Sequence, residues 1–145
     1  LGNKRHVRGN EPDYIEFVSL EELLSRSDIV SLHCPLNEDS RGMINKDTIA
    51  KMKPGALLIN AARGPVVDSK ALADALNSGY LGGAGIDVFE TEHPLDPAHP
   101  LLNSKNTIVS PHGAFASDES MGARCKIVFD NIAQWMDGHQ TNIIL

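Results

Sequence analysis

The chain has 145 residues, 41% of them hydrophobic, and 13 Lys+Arg against 19 Asp+Glu give a formal net charge of −6. That is enough for one core within the usual size of a single domain. The acidic balance argues against a nucleic-acid partner, no apolar stretch approaches the ~20 residues of a membrane span, and no secretory leader is visible. The two cysteines, Cys34 and Cys125, lack CxxC spacing and suggest no disulfide framework, so a cytoplasmic location is the default expectation.

Helix and strand signals alternate along the chain. Ser19 and Glu22 have the spacing of a capping box and open a short helix ending at Ser25 or Arg26. The apolar run Asp28 to His33 reads as a strand stopped by Pro35. Asn45 caps a helix from Lys46 to Met52, and a strand from Ala56 to Asn60 follows Lys53-Pro54-Gly55. Asp68 caps a helix from Ser69 to Ser78, closed by Gly79 at the C-terminal cap. Its Ala71, Leu72, Ala75 and Leu76 make one apolar stripe. A strand from Ala84 to Val88 comes next, then a polar, proline-rich loop from Thr91 to Pro100, and a strand from Asn106 to Ser110. A long helix then runs from about Ser117 to Asp137, with Gly138 as its cap; the apolar tail Thr141 to Leu145 has the character of a strand belonging to a neighbouring domain.

Strands alternating with helices predict crossover connections and a parallel sheet covered on both faces. The fold class is α/β: part of a Rossmann-type doubly wound sheet, followed by a long C-terminal helix. No GxGxxG is present. The glycine cluster from Gly79 to Gly85 leads into a strand, whereas a phosphate-cradling loop must lead into a helix N-terminus, so this cluster is a helix cap and a close-packed strand start.

Three polar residues stand just past the strands. Arg63 follows Ala56–Asn60, Glu92 follows the strand ending at Val88, and His112 follows Asn106–Ser110. In an open parallel sheet all C-terminal strand ends face one crevice, where ligands bind. Taken singly, each reads better as a solvated loop charge or a satisfied loop histidine. Together, a guanidinium, a carboxylate and an imidazole are the parts needed to handle a substrate bearing a carboxylate and a transferable proton. His6, His93, His99 and His139 have no partner pattern and read as surface residues, and there is no HExxH or paired CxxC for a metal.

Several motifs occur in order. His33-Cys34-Pro35-Leu36 is followed by Arg41-Gly42-Met43-Ile44-Asn45, Lys53-Pro54-Gly55-Ala56 and Asn60-Ala61-Ala62-Arg63-Gly64. Gly85-Ile86-Asp87-Val88-Phe89-Glu90-Thr91-Glu92 and Ser110-Pro111-His112 come after. In this order and spacing the chain resembles the D-isomer-specific 2-hydroxyacid dehydrogenases. The resemblance implies that residues 1–115 are the C-terminal half of a dinucleotide-binding domain and that 116–145 lead back towards a substrate domain.

The resemblance also implies roles. Arg63 would clamp the substrate carboxylate and polarise its carbonyl. His112 would be the general acid/base, and Glu92 would orient the imidazole and raise its pKa. The family's acid stands five residues beyond the strand-end Asp, which selects Glu92 over Glu90. Asp87 would bind the nicotinamide carboxamide. His33, Cys34, Pro35, Ala61, Ala62 and Gly113 would line the cofactor groove with Arg63 and His112. Phe115 is a hint of a lactate- or hydroxyisocaproate-type member.

The implied cofactor is NAD or NADP. The second-strand position that carries an acid in NAD-preferring folds falls near Gly2. Here that stretch has no acid and carries Lys4, Arg5 and Arg8, a leaning towards NADP. The implied activity is hydride transfer between the dinucleotide and a 2-oxoacid or D-2-hydroxyacid, in a homodimer, with the 145-residue chain inactive alone. The alternative is a dinucleotide-sensing, corepressor-like interaction protein of the same fold, because fold alone does not fix function.

Overall fold

The computed structural model describes residues 1–3, 12–91 and 94–143. The chain divides into two compact units, Leu1–Pro111 and His112–Leu145.

The first unit is built on four parallel strands in the order β1-β2-β3-β4: Ile29–Leu32, Leu57–Asn60, Gly83–Ile86 and Thr107–Val109. Helices α1 (Leu20–Arg26), α2 (Lys46–Ile49) and α3 (Ser69–Asn77) alternate with them. Register places Val30, Leu58 and Ala84 side by side, with Leu32, Asn60 and Ile86 in the next row. These six are buried, and Leu24 of α1, Ile49 of α2, and Leu72 and Leu76 of α3 are buried in the same layer of the first unit. The apolar stripe expected on α3 therefore packs inward at Leu72 and Leu76, while Ala71 and Ala75 are only partly buried against the core.

The opposite sheet face departs from the expected double cover. Ile29, Leu57, Ile59 and Ile108 lie on it and are 59%, 40%, 39% and 79% exposed. β1 and β2 alternate exposed and buried positions although the residues on both faces are apolar, so among the described residues one face is covered. The N-terminal residues add an isolated parallel bridge between Gly2 and Phe17, with Val18 N–H donating to Gly2 O at 3.0 Å.

The helix caps form at the expected residues. Asn45 accepts the Asp47 and Thr48 amides in a full capping box, and Asp68 accepts the Ala71 amide. At α1 only half of the expected box forms. Ser19 Oγ accepts the Glu22 amide, but the Glu22 carboxylate pairs with Arg26 at 2.7 Å rather than turning back. Helix α2 is one turn, shorter than expected, because the Lys51 and Met52 amides reach carbonyls three residues back and tighten the chain into a 3₁₀ turn. Gly79 ends α3 with φ +77°, where the Gly79 and Tyr80 amides close onto Leu76 and Ala75.

The second unit is dominated by α4, Asp118–Met136, capped by Ser117 with Ser120 as the reciprocal partner. Gly138, at φ +78°, closes it in the same way that Gly79 closes α3. No helix among the described residues is long and apolar enough to cross a membrane.

Candidate active site

The strand pairing brings the C-terminal ends of all four strands to one edge of the first unit, and most of the expected site residues follow them. β2 ends in Asn60, which is 1% exposed. Its side-chain oxygen accepts the Ala62 amide at 3.0 Å and its amide group donates to Arg63 O at 3.1 Å. A buried amide thus shapes the Ala61-Ala62-Arg63 turn from beneath, and leaving either group unpaired would cost about 1–3 kcal/mol. The Arg63 side chain is exposed, with Nη1 donating to Ala62 O at 2.6 Å.

Behind Arg63, Gly64 starts a 3₁₀ turn, Gly64–Val66, and packs on the next strand-end loop. A Cβ at Gly64 would stand 1.9 Å from the Phe89 carbonyl carbon and 2.4 Å from the Glu90 nitrogen, so only glycine fits. The Arg63 turn and the Phe89-Glu90 backbone are therefore in direct contact.

Asp87 follows β3 and is 6% exposed. Its amide donates to Asn60 O at 3.0 Å, and its carboxylate accepts the Ser110 hydroxyl at 2.6 Å. Ser110 is itself fixed by its amide, which donates to Ile86 O at 2.9 Å. The ladder thus continues one residue past the strands on both sides and ends in a braced carboxylate.

On β1, His33 Nε2 lies 2.8 Å from Ser31 Oγ, and both residues are exposed. Cys34 is half-buried, and Pro35 O accepts the Ser40 hydroxyl at 2.7 Å. Ala61 is half-buried and Ala62 buried. Arg63, Asp87, His33, Cys34, Pro35, Ala61 and Ala62 thus share one edge of the sheet.

His112 and Gly113 open the second unit. His112 has φ +56°, a left-handed backbone, and its ring meets Phe115 edge-on with centroids 5.9 Å apart. The Arg124 guanidinium stacks over the other partner of that pair, 5.0 Å from the Phe115 centroid. Glu92 lies outside the described residues, as do Lys4, Arg5 and Arg8.

Ser69, Glu90 and His99, to which the sequence assigns no role in the site, are engaged with one another. Ser69 donates to one Glu90 carboxylate oxygen, and His99 Nε2 lies 3.1 Å from the other. His99 is no plain surface residue: its side chain is 13% exposed and meets the Phe89 ring edge-on at 5.1 Å. Burial pushes the Glu90 carboxyl up, but hydrogen bonds from Ser69, from its own backbone amide and from His99 outweigh this and hold it below the ordinary carboxylate range. Ser110 and Asn60 were missed as well. Their signal was a polar residue within or at the end of an apolar strand, which needs a partner.

Residues 1–114 match the model of the "D-isomer specific 2-hydroxyacid dehydrogenase, NAD binding domain". The chain belongs to the D-isomer specific 2-hydroxyacid dehydrogenase family. Among family members, it is 42% identical over 134 residues to a hydroxypyruvate reductase of Blautia hydrogenotrophica, a match covering 92% of this chain and 41% of that protein. It is 45% identical over 124 residues to a glyoxylate reductase of Korarchaeum cryptofilum, covering 86% of this chain and 37% of that protein. The chain thus spans about two-fifths of the length of these relatives. The crystal structure of D-lactate dehydrogenase with NAD+ from Lactobacillus jensenii superposes with a TM-score of 0.86 at 29% identity, over 99% of this chain and 47% of that one. The four-stranded parallel sheet and its helices are accordingly the α/β fold of the family's NAD-binding domain.

Proposed function

We propose that the protein carrying this chain is a nicotinamide-dependent oxidoreductase that interconverts a 2-oxoacid and a D-2-hydroxyacid. The observation that carries this reading is the convergence of Arg63 and the braced Asp87 on one sheet edge, in a chain of this family. Residues 1–115 supply the C-terminal half of the cofactor domain, and 116–145 lead back towards the substrate domain.

The residues fit a nicotinamide group. A buried carboxylate fixed by Ser110 is suited to accept an amide N–H, and Asp87 takes that role. His33, Cys34, Pro35, Ala61, Ala62 and Gly113 line the groove. The bound dinucleotide supplies a hydride donor or acceptor. Arg63 holds the substrate carboxylate through its planar fork and places positive charge beside the carbonyl. His112 gives a proton to the carbonyl oxygen in reduction and takes it back in oxidation. Glu92 orients that imidazole. Either NAD or NADP serves, with Lys4, Arg5 and Arg8 favouring the 2′-phosphate. The free cysteines, half-buried Cys34 and exposed Cys125, suit a reducing cytoplasm, and we assign a homodimer.

The test is kinetic. In the complete gene product, 2-oxoacids from glyoxylate to 2-oxoisocaproate are assayed with NADH and NADPH. His112→Ala lowers kcat about 10²–10⁴-fold, the range for losing a general acid/base. Absence of any 2-oxoacid reduction, or full activity in His112→Ala, overturns the reading.

A further inference from the structure

Glu90 is the acid that motif spacing sets aside in favour of Glu92, and its surroundings show what it does instead. Its carboxylate spans two elements distant in sequence. One oxygen receives the hydroxyl of Ser69, the first residue of α3, which is 8% exposed. The N-cap role there belongs to Asp68, so the Ser69 hydroxyl is directed to Glu90 rather than to the helix end. The other carboxylate oxygen faces His99 Nε2 at 3.1 Å.

The His99 ring has a defined tautomer. Its Nδ1 accepts the Leu101 amide at 3.3 Å, capping the 3₁₀ turn Pro100–Leu102, so Nε2 carries the proton and donates to Glu90. Phe89 closes over the ring edge-on. The Glu90–His99 contact thus joins the two ends of a loop nine residues apart, and Glu92 stands in that loop. At the base of the same loop, Gly64 brings the Arg63 turn against the Phe89-Glu90 backbone with no room for a Cβ.

We infer that Glu90 is a positioning residue: its carboxylate, bridging Ser69 and His99, clasps the loop that carries Glu92 and seats it on the turn that carries Arg63. This inference rests on the reading of Arg63 and Glu92 given above. The Glu90 side chain is itself exposed, but a plain surface ion pair would not need a buried hydroxyl and a fixed imidazole tautomer converging on it at the root of one loop. The clasp also accounts for two acids two residues apart with different tasks. The first anchors the loop, and the second keeps the role proposed for it above.

The test uses the complete gene product with Glu90→Ala, His99→Ala, Glu90→Gln and Glu92→Gln, read by proteolysis of the folded protein and by the pH profile of kcat/KM. Glutamine at position 90 can still accept from His99 and meet Ser69, so Glu90→Gln stays close to wild type in both readouts. Glu90→Ala and His99→Ala are each cut about tenfold faster between residues 91 and 98. Their kcat falls about tenfold to a hundredfold, the cost of displacing a reacting group by up to an ångström. The acid/base limb of their pH profile moves in the same direction as in Glu92→Gln, which a merely structural role would not produce. Should Glu90→Ala fail to fold, His99→Ala gives the same readings. Unchanged cleavage overturns the clasp. Faster cleavage with an unchanged pH profile, while Glu92→Gln shifts it, overturns the positioning role alone. If Glu92→Gln leaves the profile unchanged, the reading of Glu92 fails, and the inference fails with it.

Discussion

The Ser110 hydroxyl donates to the buried Asp87 carboxylate at 2.6 Å, tying the end of β4 to the end of β3. Removing it in Ser110→Ala leaves that carboxylate one donor short inside the protein. The expected cost is about 1–3 kcal/mol, as for any buried acceptor deprived of a partner. Urea denaturation measures it, and a cofactor titration should show weaker dinucleotide binding. Ser110→Thr keeps the hydroxyl and should recover most of both.

Gly64→Ala drives a methyl into the Phe89 carbonyl and the Glu90 amide. Both obstacles are backbone, so no side chain can swing away. The loss should be about 1–3 kcal/mol or more, as for overpacking a filled interior. Equilibrium denaturation checks this. Ala at Gly113, where an added Cβ meets nothing within 4 Å, should change stability little.

Arg63→Lys keeps the charge and loses the fork. In the complete gene product, kcat/KM for the oxoacid should fall roughly tenfold to a hundredfold, the equivalent of about 1.5–3 kcal/mol for one charged hydrogen bond. Dinucleotide affinity should change far less. Equal losses for oxoacid and cofactor would remove the substrate-clamp role.

Acid should loosen the clasp at Glu90. Its carboxyl is held below its ordinary value, so it binds its proton less readily folded than unfolded. Its contribution is therefore complete above the unfolded value near 4.5 and is lost as pH falls through the lower folded value. Glu90→Gln should flatten this part of the stability-versus-pH curve below about pH 5. An identical acid limb in both proteins, by thermal melts across pH 3–6, would count against it.

Lys4→Ala combined with Arg5→Ala should weaken NADPH more than NADH. The expected change in KM for NADPH is about tenfold, the scale of one lost charge-assisted contact. A strong NADH preference untouched by both substitutions would sink the leaning towards NADP.

Much of the architecture could be read from the residues, because it rests on local rules. Asn45, Asp68 and Ser117 cap helices where a short polar side chain precedes an apolar pattern, and Gly79 and Gly138 end helices where only a left-handed residue closes the last turn. Glu22 turned to Arg26 because a charged partner one turn on competed successfully with the Ser19 amide. The Glu90–His99 pair was illegible for a different reason. The two residues stand nine positions apart across a stretch whose sequence carries no periodicity, so nothing in the sequence says that they meet. The bare sheet face was hidden too: Ile29, Leu57 and Ile59 are as apolar as Val30 and Leu58, and composition cannot show which side is covered.

His112 sits at φ +56°, a backbone conformation that suits glycine better than histidine. Elsewhere on a chain, glycine is worse than alanine by about 0.5–1 kcal/mol because it has more freedom to lose on folding. At position 112 that ranking should shrink or reverse, since alanine keeps the left-handed strain of about 1–2 kcal/mol and glycine sheds it. His112→Gly should then melt no lower than His112→Ala. Under the acid/base role proposed for it, His112 occupies a site that selection for stability alone would have given to glycine, so activity and robustness pull in opposite directions at this one residue.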